Sequence, residues 1–237
     1  MINKLSVSFI VPCFNEKGNI ENTLNEILSS INELNIKFYE IIIIDDASTD
    51  DTFSKYESIK KKIPNVLLIK NIHNLGYGGT VKKGFKLAKK NYVMFIPGDN
   101  SHRGKEISKI IAELKDYDFV STYYINTKQR NFFRRWFTKI YTPLLNFIFG
   151  LNLYYYNGLT IYKTNLLQQI KIQTDSFTFQ IEIFVNLIKK YKCKYIFVPT
   201  ILSDRDEGLS KAFKIKNIFM VLKSITIIFF KLHLNKL

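Results

Sequence analysis

Cysteine and histidine are scarce in this sequence of 237 residues. Its two cysteines, Cys13 and Cys193, lie far apart in the chain, and only three histidines are present. Two distant cysteines exclude a disulfide framework and a cysteine-based zinc site, and they suit a reducing compartment. The N-terminal residues MINKLSVSFIVP lack the layout of a secretory signal peptide, because their apolar run starts almost at once and leads into a polar turn. We therefore expect a protein that is not secreted.

Acidic residues are scarce in the second half of the chain. Residues 1–120 contain 17 Lys and Arg against 15 Asp and Glu, whereas residues 121–237 contain 18 against 5. Such a basic half is typical of proteins that bind nucleic acid or an anionic membrane surface. Phe, Ile and Leu are dense among the basic residues of 132–150 and 215–232. This mixture favours a membrane surface and predicts no nucleic-acid partner.

Long hydrophobic runs are also lacking. A membrane-spanning helix needs about 20 mostly apolar residues, whereas the apolar run 218–230 is interrupted by Lys223 and Ser224. We expect instead two amphipathic helices that lie in the membrane interface, at about 130–150 and 215–237. The alternative is that both are ordinary helices of the protein core.

The first 120 residues alternate short β-rich runs with helical patterns. The candidate strands are almost continuously apolar, as expected of parallel strands covered on both faces; they are 5–11, 39–44, 66–69, 92–96 and 118–121. Apolar residues recur with a helical period over 20–34, 79–90 and 107–114. The alternation predicts an α/β fold with a mostly parallel central sheet flanked by helices.

Polar loops follow four of these strands, with the sequences PCFNE at 12–16, DDASTD at 45–50, HNLGYGG at 73–79 and PGDNSH at 97–102. Ligands of such sheets bind at the carboxyl ends of the strands. Because the four loops share that edge, we predict a ligand site there with a metal or cationic component.

Two acids, Asp45 and Asp46, end the second strand. A carboxylate here can accept hydrogen bonds from a base N–H group or a ribose hydroxyl. The alternative is a turn with a helix N-cap, in which Ser48 or Asp50 bonds free amides. Both interpretations can hold together.

The glycine-rich segment 74–84 and the loop at Asp99 are each ambiguous when taken alone. The glycines suit either a phosphate contact at a helix N-terminus or a plain turn, and we interpret Lys82 and Lys83 as solvated helix charges. The glycines follow the third strand, which disfavours a dinucleotide oxidoreductase. Asp99 suits either a β-turn or a site for Mg²⁺ or Mn²⁺, since one carboxylate suffices when a diphosphate supplies further oxygens.

Taken in order, six segments resemble glycosyltransferase family 2, and within it the branch that glycosylates polyprenyl phosphates, typified by dolichol-phosphate mannose synthase. They are VPCFNE at 11–16, DDASTDDT at 45–52, NLGYGGTVKKGFKLA at 74–88, PGDNSH at 97–102, FQIEI at 179–183 and RDEGLSK at 205–211. The resemblance covers about residues 1–215. It implies a Rossmann-like GT-A fold and a metal, held by an Asp-x-Asp element, on the donor diphosphate.

The resemblance also implies roles for individual residues. The residues implied to bind the nucleotide are Pro12, Asn15, Glu16, Asp45, Asp46 and Gly76. Asp99 is the implied metal ligand, and the implied catalytic residues are Asp99 and Arg205. The implied loop that closes over the donor phosphates contains Arg205, Ser210 and Lys211. Three departures concern the metal and the acceptor. Pro97 replaces the first acid of Asp-x-Asp, the stretch 121–124 lacks the usual arginine, and 156–158 reads Tyr-Asn-Gly. Arg134 or Arg135 is therefore our candidate for the acceptor phosphate.

The implied reaction is an inverting, metal-dependent sugar transfer from a UDP- or GDP-linked sugar to a polyprenyl phosphate, catalysed peripherally at the cytoplasmic face of a membrane. The implied domain is 1–214, with a nucleotide-sugar-binding half at 1–120 and an acceptor half at 121–214, followed by the amphipathic helix 215–237. Two alternatives stay open. One is a transferase with a hydroxyl acceptor and Asp99 or Glu182 as base, and the other is a membrane protein that binds nucleotide sugars without turnover.

Overall fold

The computed structural model describes residues 5–61, 63–126, 132–175, 178–201 and 215–233, without the side chains of 132–138, 215–220, 222 and 232–233. Its strands are β1 (Ser6–Cys13), β2 (Phe38–Asp45), β3 (Val66–Lys70), β4 (Tyr92–Phe95), β5 (Phe119–Tyr124), β6 (Thr160–Lys163) and β7 (Tyr195–Thr200). Its helices are α1 (Ile20–Glu33), α2 (Thr52–Lys60), α3 (Gly76–Leu87), α4 (Gly104–Ala112), α5 (Phe132–Phe149), α6 (Thr164–Gln168), α7 (Phe179–Val185), which continues into a π-helical turn (Asn186–Lys190), and α8 (Ile215–His233).

The strands form one seven-stranded sheet in the order β3-β2-β1-β4-β6-β5-β7. β6 is antiparallel to its neighbours β4 and β5, and the other paired strands are parallel. The predicted mostly parallel sheet flanked by helices is therefore confirmed. All five predicted strands are present, whereas β6 and β7 were not predicted.

Alternate side chains of the strands enter two different cores. Along β2, Ile42 and Ile44 belong to one buried cluster and Ile41 and Ile43 to the other, as the two-residue period of a strand requires. The first cluster includes residues of α3, α5, α7 and α8, and the second includes residues of α1, α2 and α4. This double coverage explains why the strands are almost continuously apolar.

α3 approaches the sheet closely at Gly84. A Cβ atom at this position would overlap the side chain of Ile10 on β1. The glycine therefore allows α3 to lie near the strands whose carboxyl ends form the candidate site.

α5 and α8 each have one buried and one exposed face. On α5, Leu145 and Phe149 enter the core, while Phe147 is 86% exposed and Ile140 and Leu144 are about half exposed. On α8, Ile228 is fully buried, while Phe230 is 57% exposed and Ile227 is 38% exposed. Both helices thus contribute to the core and also present apolar side chains outward. Within the described residues, neither helix has the length and apolar character to cross a membrane.

Candidate active site

The carboxyl ends of β1, β2 and β4 are tied together by backbone hydrogen bonds. The Asp46 amide donates to the Cys13 carbonyl at 2.8 Å, and the Gly98 amide donates to the Pro12 carbonyl at 3.2 Å. Gly98 is needed here because a Cβ atom would lie 2.5 Å from the Cys13 sulfur. The loops that carry the predicted acids therefore share one edge of the sheet.

The acids of three loops converge around the Cys13 thiol. Burial is the main cause that raises the pKa of this thiol well above its ordinary value, and a hydrogen bond from the Tyr56 hydroxyl opposes it. The negative charges of Glu16, Asp45 and Asp99 raise the pKa further. The hydrogen bonds between their loops place these three predicted site residues at the same edge of the sheet.

Asp45 and Asp46 have different environments. Asp45 is fully buried: its Oδ1 accepts hydrogen bonds from the Ser48 amide and hydroxyl, and its Oδ2 has no hydrogen-bond partner among the described residues. The Oδ1 atom of Asp46 accepts the Asn71 side-chain amide and the Leu75 backbone amide, each at 2.8 Å. Both carboxylates are therefore buried, and the nucleotide-binding roles of both stay predictions.

The loop after β1 is bound to the loop after β2 by polar contacts. Asn15 has a positive φ of 57°, and its Oδ1 accepts the Thr49 amide at 2.9 Å. The Glu16 amide donates to the Thr52 hydroxyl at 2.9 Å. At the start of α2, Asp50 accepts the Thr52 amide at 3.0 Å, so Asp50 bonds a helix-end amide as one of the two interpretations predicts.

The glycine-rich segment is itself part of a helix. Gly76, with a φ of +75°, is the first residue of α3, and its amide donates to the Asn74 side chain at 3.1 Å. The sequence period placed the start of this helix three residues later. The segment therefore presents the N-terminus of α3 at the same edge as Asp46.

Our interpretation of Lys82 and Lys83 as solvated charges is wrong. Lys82 forms an ion pair with Asp175 and also donates to the Ile172 carbonyl at 3.5 Å. Lys83 donates to the Asn71 side-chain oxygen at 2.7 Å. Sequence reasoning also missed Asn71; its place directly after β3, at the edge that carries the other site residues, was the available signal.

Asp99 is the candidate metal ligand, and it is only 5% exposed. Its Oδ1 accepts the Ser101 hydroxyl at 2.6 Å and the Ser101 amide at 3.2 Å. Within the described residues, no group of three or more His, Cys, Asp and Glu side chains is arranged to hold a metal ion. Asp99 would therefore be a single carboxylate ligand, and a divalent cation fits here if the oxygens of a bound diphosphate complete its coordination.

Tyrosines occupy the end of β5, where the usual arginine is missing. The His102 ring lies 6.2 Å from the Tyr124 ring, which places Tyr124 beside the Asp99 loop. The Tyr123 ring stacks at 4.9 Å on the ring of Tyr154, which is 68% exposed. Aromatic side chains at the end of β5 therefore lie beside the Asp99 loop at Tyr124 and against the exposed Tyr154 at Tyr123.

Glu182, the candidate base of the hydroxyl-acceptor alternative, is 1% exposed, and its carboxylate already accepts hydrogen bonds within the protein. It accepts the backbone amides of Gln173 and Thr174 at 3.0–3.1 Å, and Lys231 of α8 lies 3.6 Å from it. A carboxylate buried in this way supports the loop at 173–174, so the structure does not favour Glu182 as a base.

The remaining predicted residues cannot be placed. Arg205, Ser210 and Lys211 lie outside the described residues, and so do the side chains of Arg134 and Arg135, although α5 includes both. Their roles at the donor and acceptor phosphates stay predictions.

Comparison with solved structures supports the GT-A fold. Glucosyl-3-phosphoglycerate synthase from Mycobacterium tuberculosis, in complex with Mn²⁺, UDP and phosphoglyceric acid, matches with a TM-score of 0.69 and 17% identity over 93% of this chain and 78% of that protein. At this identity the likeness concerns the fold alone.

Sequence comparison identifies relatives of the predicted branch. The dolichol-phosphate mannosyltransferase of Pyrococcus furiosus is 29% identical over 93% of this chain, and the dolichyl-phosphate beta-glucosyltransferase of Dictyostelium discoideum is 34% identical over 46%. The matched parts are 63% and 35% of those two proteins, so this chain spans less than two thirds of either. An uncharacterised protein of Methanocaldococcus jannaschii is 29% identical over 76% of this chain and 81% of its own length. Residues 8–172, more than half of the chain, match the model of glycosyl transferase family 2. The protein belongs to this family of glycosyltransferases, as its motifs predict.

Proposed function

We propose that this protein transfers a sugar from a nucleoside-diphosphate sugar to a polyprenyl phosphate at a membrane surface. The observation that carries the proposal is that hydrogen bonds hold the loops of Glu16, Asp46 and Asp99 at one edge of the sheet, where the N-terminus of α3 also lies. Relatives named for dolichyl-phosphate and undecaprenyl-phosphate sugar transfer support the acceptor class.

The donor nucleotide would lie along this edge of the sheet. Asp46 would accept a base N–H group or a ribose hydroxyl, with Asp45 behind it and Pro12, Asn15 and Glu16 lining the pocket. The N-terminus of α3 at Gly76 favours an anion, because its first backbone amides point out of the helix. UDP and GDP are both compatible with this chemistry.

Asp99 would hold Mg²⁺ or Mn²⁺ together with the donor diphosphate. A divalent cation there supplies charge that stabilises the departing diphosphate. A polyprenyl phosphate is already ionised at neutral pH, so the chain needs no strong general base. One of its oxygens attacks the anomeric carbon of the sugar, the bond from that carbon to the diphosphate breaks, and the nucleoside diphosphate leaves. The protein contributes alignment and electrostatic stabilisation.

The exposed apolar faces of α5 and α8 support action at a membrane surface. Phe147 and Phe230 point outward, and the half of the chain that contains both helices carries a net charge of +13, from 18 Lys and Arg and 5 Asp and Glu. Apolar insertion together with attraction to anionic lipids is how interfacial helices bind. We infer peripheral attachment at the cytoplasmic face.

Donor turnover tests the proposal. Purified protein is incubated with Mn²⁺ or Mg²⁺ and a panel of UDP- and GDP-sugars, with and without undecaprenyl phosphate in detergent, and free nucleotide and glycolipid are measured together. We expect release that needs both metal and lipid phosphate, and loss of this release in Asp99→Asn. Release only with a sugar acceptor would indicate the hydroxyl-acceptor transferase, and nucleotide binding without release would indicate the silent binding protein.

A further inference from the structure

We infer that Lys83 is a positioning residue of the donor site, which acts through Asn71 to hold the Asp46 carboxylate in one orientation. The three side chains form a continuous series of hydrogen bonds. Lys83 Nζ donates to Asn71 Oδ1 at 2.7 Å, and Asn71 Nδ2 donates to Asp46 Oδ1 at 2.8 Å. The inference rests on the proposed function, in which Asp46 contacts the nucleoside.

The two end groups determine the orientation of the Asn71 amide. An ammonium group can only donate and an ionised carboxylate can only accept, so the amide oxygen must face Lys83 and the amide nitrogen must face Asp46. The backbone of Asn71 is fixed as well, because its N–H donates to the Asp45 carbonyl at 2.8 Å. Without Lys83, the buried side-chain oxygen of Asn71 loses this donor, and the side chain keeps the bond to Asp46 and the longer contact of its Nδ2 with the Thr80 hydroxyl at 3.5 Å.

The two oxygens of the Asp46 carboxylate therefore have different roles. Oδ1 accepts both Asn71 and the Leu75 amide at 2.8 Å, whereas Oδ2 accepts no hydrogen bond within the described chain. Oδ2 is therefore the acceptor presented to a ligand, and its position depends on the two bonds to Oδ1. The Leu75 bond also joins Asp46 to the start of α3, the helix that carries Lys83.

Lys82 provides a matched control on the same helix. Its ammonium group is paired with Asp175 rather than Asn71. Removing either charge changes the net charge equally, but only the loss of Lys83 removes the donor to the Asn71 side-chain oxygen.

The experiment compares Lys83→Met, Lys83→Arg and Lys82→Met with the native protein, after thermal melting has shown that each variant is folded. Equilibrium binding is measured for UDP, GDP and pyrophosphate, each with Mn²⁺. In Lys83→Met we expect about tenfold weaker binding of the preferred nucleotide and unchanged binding of pyrophosphate, since pyrophosphate lacks the nucleoside. Lys83→Arg should restore most of the affinity because it can donate to the same oxygen, and Lys82→Met should stay within about twofold.

A second readout needs no ligand. The side-chain amide resonances of Asn71, assigned with Asn71→Ser, should shift and lose protection from hydrogen exchange in Lys83→Met but not in Lys82→Met. Unchanged resonances would overturn the inference, and so would an equal loss of nucleotide and pyrophosphate binding. If the native protein binds neither UDP nor GDP, the proposed function fails, whereas the resonances still decide whether Lys83 holds Asn71.

Discussion

Glu182→Gln is the substitution that best separates a structural role of this carboxylate from a catalytic one. Glu182 is 1% exposed, and its Oε2 accepts the Gln173 amide, the Thr174 amide and the Thr174 hydroxyl at 3.0–3.1 Å. On the other oxygen, Lys231 lies at 3.6 Å. A glutamine fits the same volume but has no charge, and its NH₂ group is a donor placed among donors.

The expected loss follows from the kind of hydrogen bond. Bonds to a charged group contribute about 1.5–3 kcal/mol each, against about 0.5–1.5 kcal/mol for neutral ones. Loss of the charge from three such bonds therefore costs roughly 3 kcal/mol. For a chain of this length, that lowers the melting temperature by about 6–12 °C. Lys231→Met leaves the carboxylate its backbone donors, so it should lower the free energy of unfolding by less than Glu182→Gln does.

The assay is thermal and denaturant unfolding of both single variants and the double variant. Because Lys231 has no charge to pair with once Glu182 is neutral, the double variant should be no less stable than Glu182→Gln alone. Donor turnover is then measured well below each melting temperature, where Glu182→Gln should keep activity within a few-fold of the native protein. A native melting temperature in Glu182→Gln would refute the structural role. Abolished turnover in the folded variant would support a catalytic base and the hydroxyl-acceptor alternative.

Three further predictions concern packing, pH and membrane binding. Gly158→Ala should lower the free energy of unfolding by at least about 2 kcal/mol in denaturant titrations, because the new Cβ would overlap the Thr122 carbonyl oxygen. Burial tends to raise the pKa of Asp118, but hydrogen bonds, chiefly from Lys163, outweigh it and lower this pKa below its ordinary 3.8. The native protein should therefore have a higher free energy of unfolding than Asp118→Asn above about pH 4, and this difference should shrink as the pH falls further, as measured by urea titrations at several pH values. A difference that does not depend on pH would contradict this. Phe147→Ser, which changes a side chain 86% exposed on α5, should weaken sedimentation with anionic vesicles several-fold without changing the melting temperature.

Most strands and helices in the first half of the chain could be predicted because their sequence patterns are local. β1 to β4 are apolar runs, and α1, α3 and α4 each have an apolar face, so a few residues suffice to predict these elements, whereas α2 lacks such a face and was not predicted. β6 is different: it has four residues and gains its place by inserting antiparallel between β4 and β5. β7 contains Pro199, which weakens the strand signal. The pairing of such strands depends on contacts distant in sequence, and no local pattern contains that information.

The same difference between local signals and distant contacts applies to the residues of the candidate site. The positions of Asp45, Asp46 and Asp99 could be predicted because each lies at the end of a strand or in the loop that follows it, and the edge they share follows from a parallel sheet. Lys83 could not be separated from Lys82 by sequence, since both are basic residues on one turn of α3. Which of them meets Asn71 depends on the rotation of α3 against the sheet, on which α3 packs closely where Gly84 meets Ile10 of β1.

The predicted division at residue 120 separates strands that belong to one continuous sheet. β4 belongs to the nucleotide-binding half and β6 to the acceptor half, yet they pair directly over Tyr92–Met94 and Ile161–Lys163. The loop at 172–175 adds a second connection, because Lys82 of α3 contacts it from one half and Glu182 of α7 supports it from the other. Lys231 brings α8 to the same carboxylate. The two halves therefore share one sheet, the ion pair of Lys82 with Asp175 and both buried clusters.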